Sequence, residues 1–219
     1  MKIIITENQF EKLKEPKVLH IPSFRIFEND WDRLQRYLDR KGNPPYSIGG
    51  NLDLPNSSIE SLGNLTSVEG NLNLSNSSIQ SLGNLKSVGG YLDLNNTAIQ
   101  SLGNLKSVER GIYLRNSLIQ SLGDLTSVNH LNLQNTPIES LGNLTSVKDS
   151  LDLYGTSIKS LGNLKSVGGI LNLENSSIQS LGNLKSVGRI LNLRNTLMSR
   201  KYTIREIRQM VNIKGDIYL

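Results

Sequence analysis

A 20-residue block, Ser-Leu-Gly-Asn-Leu-x-Ser-Val followed by Leu-x-Leu-x-Asn-Ser/Thr-x-Ile, recurs along most of this 219-residue chain. Its seven full copies start at Ser61, Ser81, Ser101, Ser121, Ser140, Ser160 and Ser180, and the step from Ser121 to Ser140 is a residue short. A period in this range marks a solenoid or propeller, in which each unit buries its apolar residues against its neighbours. The repeats therefore form one elongated body, and a single unit has nothing to bury its apolar side against.

Aligning the copies separates inward from outward positions. Leu72, Leu92, Ile112, Leu131, Leu151, Leu171 and Leu191 form one apolar column, and Leu74, Leu94, Leu114, Leu133, Leu153, Leu173 and Leu193 form the next, two residues on. Apolar residues at i and i+2 with polar ones between describe a short strand with one face inward. Ile79, Leu82, Leu85, Val88 and their equivalents supply four more inward groups per coil. The fold class predicted is a repeat solenoid, leucine-rich-repeat-like, with one short parallel strand per 20-residue coil and little helix outside the ends.

Two polar columns read as structural. Asn56, Asn76, Asn96, Asn116, Asn135, Asn175 and Asn195 follow the strand, with Gly155 as the exception. A stacked asparagine ladder serves turn backbone groups, and glycine suits a turn that needs positive φ. The unbroken column Ser67, Ser87, Ser107, Ser127, Ser146, Ser166, Ser186 is expected to bond to nearby backbone. A second hydroxyl column, Ser57, Ser77, Thr97, Ser117, Thr136, Thr156, reads as exposed.

Stacked strands need atypical units at the ends. Asn29 is placed to N-cap a helix through Lys41, with Trp31, Leu34 and Leu38 on one face. Phe10, Phe24, Phe27 and Trp31 precede the first repeat and suggest a small aromatic core. Thr203-Ile204-Arg205-Glu206 is a capping-box signature for a helix to about Val211, after which Ile213 to Leu219 returns to the strand pattern. The predicted organisation is an N-terminal α/β cap (1–47), the solenoid (48–198) and a C-terminal helix–strand cap (199–219).

On these columns the chain resembles bacterial-type leucine-rich repeats, over residues 48–198 and the last strand. The segment Val88-Gly89-Gly90-Tyr91-Leu92-Asp93-Leu94 is similar to receptor L domains, which are straighter β-solenoids. The opening segment and N-terminal cap resemble small leucine-rich-repeat proteins encoded by tailed bacteriophages. The resemblance implies a non-catalytic interaction scaffold.

The chain has no cysteine, which excludes disulfides, thiolate metal sites and cysteine nucleophiles. His20 and His130 are far apart, so a metal site is not expected, and no cofactor is. Gly83-Asn84-Leu85-Lys86-Ser87 lacks the adjacent Gly-Lys-Ser/Thr of a phosphate loop. The apolar run Ile3 to Ile5 is too short for a signal-peptide core, and no stretch approaches a membrane span. A cytoplasmic protein of a prokaryotic or phage-infected cell is expected. The net charge is +5, yet residues 48–198 carry ten basic and ten acidic groups. Lys86, Lys106, Lys165 and Lys185 share one repeat position, interrupted by Thr66, Thr126 and Thr145, and read as a solvated edge. No nucleic-acid partner is expected from so divided a charge.

What remains is the outward strand face. Tyrosine and arginine are enriched at binding hot spots, and here they gather in the middle coils. Tyr91, Asp93, Tyr113, Arg115, His130, Gln134, Asp152 and Tyr154 are the candidate partner-binding residues, with a protein as the expected partner. A structural or virion-associated assembly role is the alternative. A surface binder of ice or polysaccharide, using the Ser57 hydroxyl column, is the remote one. No catalytic residues are identified.

Overall fold

The computed structural model describes residues 17–219. Stacked parallel strands about 20 residues apart build a β-solenoid of about seven turns. The expected strand is present in every coil, from Leu52–Asp53 to Ile217–Tyr218. It forms a nine-stranded, all-parallel sheet in strict sequence order, with the apolar column paired Leu52↔Leu72↔Leu92↔Ile112↔Leu131↔Leu151↔Leu171↔Leu191↔Ile217. We call this the Leu sheet.

Each coil also carries a second short strand, which the expectation of one strand per coil did not include. It lies at the Ser-Val pair, where Ser points out and Val in. This Ser-Val sheet comes in two five-stranded parts, one from Leu19–Ile21 to Ser107–Val108 and one from Ser127–Val128 to Asn212–Ile213. The division falls in the coil that is one residue short. Val88 and Leu92 have three residues between them, whereas Val128 and Leu131 have two. Elsewhere the ladder continues through bonds such as Glu109 N–H to Val88 O (3.1 Å) and Lys148 N–H to Val128 O (3.0 Å). No backbone hydrogen bond links residues 126–130 to residues 106–110 across this sheet. A shorter corner cannot keep both sheets in step, and the Leu sheet, with two buried columns, keeps its ladder.

The inward columns behave as read. Leu72, Leu74, Ile79, Leu82, Leu85, Val88 and their equivalents are buried in each coil, forming one continuous core. The asparagines hold left-handed backbone, with φ between 54° and 58°, and their side chains form a ladder: Asn96 Nδ2 donates to Asn76 Oδ1 (2.8 Å), Asn116 to Asn96 (3.0 Å) and Asn135 to Asn116 (3.2 Å). Gly155 takes the same turn at φ 67°.

The two hydroxyl columns are exchanged relative to the sequence reading. Ser77, Thr97, Ser117, Thr136 and Thr156 are buried, and Ser57 is half-buried. Their hydroxyls donate back to the strand, for example Ser77 to Leu74 O (2.6 Å) and Thr97 to Leu94 O (2.7 Å). These inward hydroxyls survive burial because a carbonyl three residues back accepts from them, Ser117 alone among the six having no partner. That column cannot present a surface to ice or polysaccharide. The Ser67 column is the outward one, and among the described residues its members from Ser67 to Ser186 make no side-chain hydrogen bond.

Both ends insert a helix. Near the start it is Trp31–Arg40, with Leu34 and Leu38 buried, and its N-cap is Asp30, whose carboxylate accepts from Arg33 N–H. Asn29, the expected cap, instead sits at φ 58° in the turn before it. Phe24 is buried, Phe27 and Trp31 pack partly buried against the core, and Tyr46 joins them fully buried. Phe10 lies outside the described residues. At the other end Thr203 and Glu206 form the expected capping box on helix Ile204–Met210. A further short helix, Leu197–Lys201, precedes it with its own capping box, Thr196 to Ser199. No described helix is long and apolar enough to cross a membrane.

Candidate functional site

The eight candidate residues all lie on the outer face of the Leu sheet, and none is buried. The pairing places them in three rows. Tyr91 and His130 share the row before the first leucine column, with Gly111 between them. Asp93, Tyr113 and Asp152 stand in the row after it, together with Asn132. Arg115, Gln134 and Tyr154 occupy the outer row.

Three of them form a cluster. The Tyr91 and Tyr113 ring centroids are 5.8 Å apart at an interplanar angle of 43°, and those of Tyr113 and His130 are 5.5 Å apart at 42°. These separations lie in the range of about 4.5–7 Å for interacting aromatic pairs, and the tilt avoids the unfavourable face-to-face sandwich. Gly111 makes room for this. A Cβ there would sit 3.0 Å from His130 Cβ and 3.1 Å from His130 O, crowding His130, and 3.6 Å from Tyr91 Cδ1, an ordinary contact. Tyr91 N–H donates to Asn71 Oδ1 (2.8 Å), which fixes the start of its strand. Tyr91 is 39% exposed, and Tyr113 and His130 are half-buried.

Charge surrounds the cluster. The Arg110 guanidinium lies 5.7 Å from the Tyr91 ring centre, and His130 Nδ1 is 3.8 Å from Asp149 Oδ2. Burial raises the Tyr113 hydroxyl pKa, and the nearby Tyr91 and Asp93 add to the shift, so the phenol is held in its neutral, donating form. The remaining candidates do not join the rings. Gln134 Nε2 donates to Asp152 Oδ2, and Asn172 Nδ2 donates to Asp152 Oδ1 (3.1 Å). Asn192 Nδ2 continues this network to Asn172 Oδ1 (3.1 Å) and Glu174 Oε2 (2.9 Å). Arg115 is exposed and Tyr154 half-exposed in the outer row.

The face thus has an aromatic zone and, beside it, an amide–carboxylate zone. Arg110, Gly111 and Asp149 were missed by sequence reasoning. For Arg110 and Asp149 a signal was available: at this corner the flanking coils carry at least one glycine, as at Gly89-Gly90 and Gly188-Arg189, but the middle ones read Glu109-Arg110, Asn129-His130 and Lys148-Asp149. The shortened coil, the sheet break and the aromatic cluster occupy the same stretch. Among the described residues no group of three or more His, Cys, Asp or Glu could hold a metal ion. No family model, curated protein or solved structure matches the chain.

Proposed function

We propose that this protein is a non-enzymatic scaffold that binds a protein partner on the outer face of the Leu sheet, centred on Tyr91, Tyr113 and His130. The observation that carries the reading is the ring cluster itself: three aromatic side chains from successive coils, 5.8 and 5.5 Å apart, on a backbone held in register on both sides. Rings fixed in this way lose little side-chain entropy on binding and gain from desolvation, which is what makes aromatic residues hot spots. Arg110 and Arg115 on the same face add planar donors suited to a partner's carboxylates. We further take the chain for a short bacterial or phage-type leucine-rich repeat acting in the cytoplasm. The Leu-x-Leu-x-Asn columns support the first part, and the likeness of the N-terminal segment to phage proteins supports the second.

The test compares the protein with its Tyr113→Ala/Arg115→Ala double variant as immobilised baits for host extract, with affinities then measured for each retained protein. A genuine partner loses at least ~2 kcal/mol, about 30-fold in affinity, in the double variant. Neither position belongs to an inward column, so the far-UV spectrum and melting transition are expected to be retained. If every retained protein binds both baits equally, the strand face is not the site.

A further inference from the structure

The acid and base of the neutral solenoid are sorted between its two sheets. The outer rows of the Leu sheet carry Asp53, Asp93, Asp152, Glu174 and Asp216 against Arg115 and Arg194. The outer rows of the Ser-Val sheet carry Lys86, Lys106, Lys148, Lys165, Lys185 and Lys214, all exposed, against Glu69 and Glu109. None of these six lysines is within ion-pair distance of a carboxylate among the described residues. The apparent interruption of the lysine row at Thr126 and Thr145 is bridged by Lys148, three residues after Thr145 on the same face.

Lys106 and Lys148 meet at the sheet break. They line an open groove of about 390 Å3 with Ser107, Glu109, Ser127 and Asn129. Along it the backbone N–H groups of Ser127 and Asn129 lack the ladder bonds that Ser107 and Glu109 make to Lys86 O and Val88 O. The outward hydroxyls of Ser107 and Ser127 are the most exposed of their column. The groove therefore offers cations, hydroxyl donors and free N–H groups, which complement an anion, against the single carboxylate of Glu109. From Lys86 to Lys214 spans six coil steps, about 29 Å at the parallel-sheet spacing.

We propose that the Ser-Val face binds linear inorganic polyphosphate, seated along the lysine row and held most closely in the groove between Lys106 and Lys148. Three features select this ligand. The face carries at most one lysine per coil, before or after the Ser-Val pair, which suits a single flexible chain and not a bilayer, whose charge is spread over two dimensions. Along the sheet from Lys86 to Lys214 no described aromatic side chain stands in the outward rows, His20 lying at the far N-terminal end, so nothing beside the lysines stacks the bases of a single-stranded nucleic acid. Every outward donor reads charge and oxygen alone. The features that select this ligand do not include the Tyr91 cluster, which borders the groove at Asn129-His130 and Lys148-Asp149.

The experiment is a calorimetric titration of the full chain with long-chain polyphosphate and with tripolyphosphate, at several salt concentrations. The long chain binds at low salt, with affinity falling on a log–log plot with a slope of about −4 if six charges are neutralised at about 0.7 each. Tripolyphosphate, too short to span the row, binds about tenfold or more weaker. The Lys106→Ala/Lys148→Ala variant weakens the long chain by a similar factor, and Arg115→Ala leaves it unchanged. No binding at low salt overturns the proposal, as does equal binding by the double lysine variant. Tighter binding of a single-stranded or duplex oligonucleotide of matched charge, or of phosphatidylserine vesicles, also overturns it by assigning the face to another anion.

Discussion

Replacing Asn116 tests how the coil's turn is held. Its backbone lies at φ 57°, and its side chain both donates to Asn96 Oδ1 (3.0 Å) and accepts from Asn135 Nδ2 (3.2 Å). Asn116→Ala keeps a Cβ in left-handed backbone without the local polar contacts that make asparagine tolerable there, at about 1–2 kcal/mol. It also removes two exposed hydrogen bonds, each at the low end near 0.5 kcal/mol. The sum is about 2–3 kcal/mol. Asn116→Gly loses the same bonds but not the backbone preference, offset partly by its greater unfolded-chain entropy, so it should be milder than alanine by about 1 kcal/mol. Asn195, at the same φ of 57° but with no ladder bond, supplies a control in which only the conformational share is lost. Equilibrium urea unfolding followed by far-UV circular dichroism gives the three differences. Alanine no worse than glycine at position 116 would refute the reasoning, because it would mean that the turn imposes no left-handed requirement.

In the buried hydroxyl column, Thr97→Val removes the bond to Leu94 O and should cost about 1–2 kcal/mol, whereas Ser117, whose hydroxyl has no partner, should tolerate alanine within about 0.5 kcal/mol; urea midpoints decide. Burial pushes the Tyr46 phenol pKa well above its ordinary value, so the folded state keeps a proton that the unfolded chain releases. Stability should then fall as pH rises beyond about 10, and Tyr46→Phe should flatten that fall in melts taken across the alkaline range. Removing residues 1–47 takes away Phe24, Leu34, Leu38 and Tyr46, which close the first coil. Light scattering should report aggregation through the exposed Leu52 and Leu54 end; a monomer with an unchanged melting temperature would make that region dispensable.

How much was legible depended on whether a feature repeats. Columns of Leu, Ile and Val fixed the core because seven copies vote on each position, and Gly155 among asparagines betrayed the left-handed turn. The Thr203–Glu206 box was readable because both reciprocal partners are of the usual type. The helix Leu197–Lys201 was not, because its box uses Ser199 where a glutamate is usual. At the N-terminal helix, Asn29 and Asp30 are adjacent and equally good caps, and local composition does not say which one starts the first turn. The hydroxyl columns were exchanged because a left-handed residue resets the in–out alternation: counting by twos from the strand carries Ser77 outward, but the turn at Asn76 folds it in. A two-residue Ser-Val strand has too little alternation to announce itself, so the second sheet became visible only through its pairing. On the candidate face the rows were correctly placed outside, but the clustering of Tyr91, Tyr113 and His130 depends on the missing side chain at Gly111, which no column marks.

The break in the Ser-Val sheet has a mechanical side. A solenoid with two lengthwise sheets is a beam with two flanges, and stretching either one means breaking hydrogen bonds coil by coil. Here one flange runs unbroken from Leu52–Asp53 to Ile217–Tyr218, while the other is cut between Ser107–Val108 and Ser127–Val128. Bending that opens the cut flange breaks no ladder at that point, so the molecule yields there first, about an axis through the intact sheet. The rings of Tyr91, Tyr113 and His130 ride on that intact flange beside the cut, His130 only two residues after Val128. A load applied to the two ends would therefore change the spacing of those rings before it disturbed any other coil.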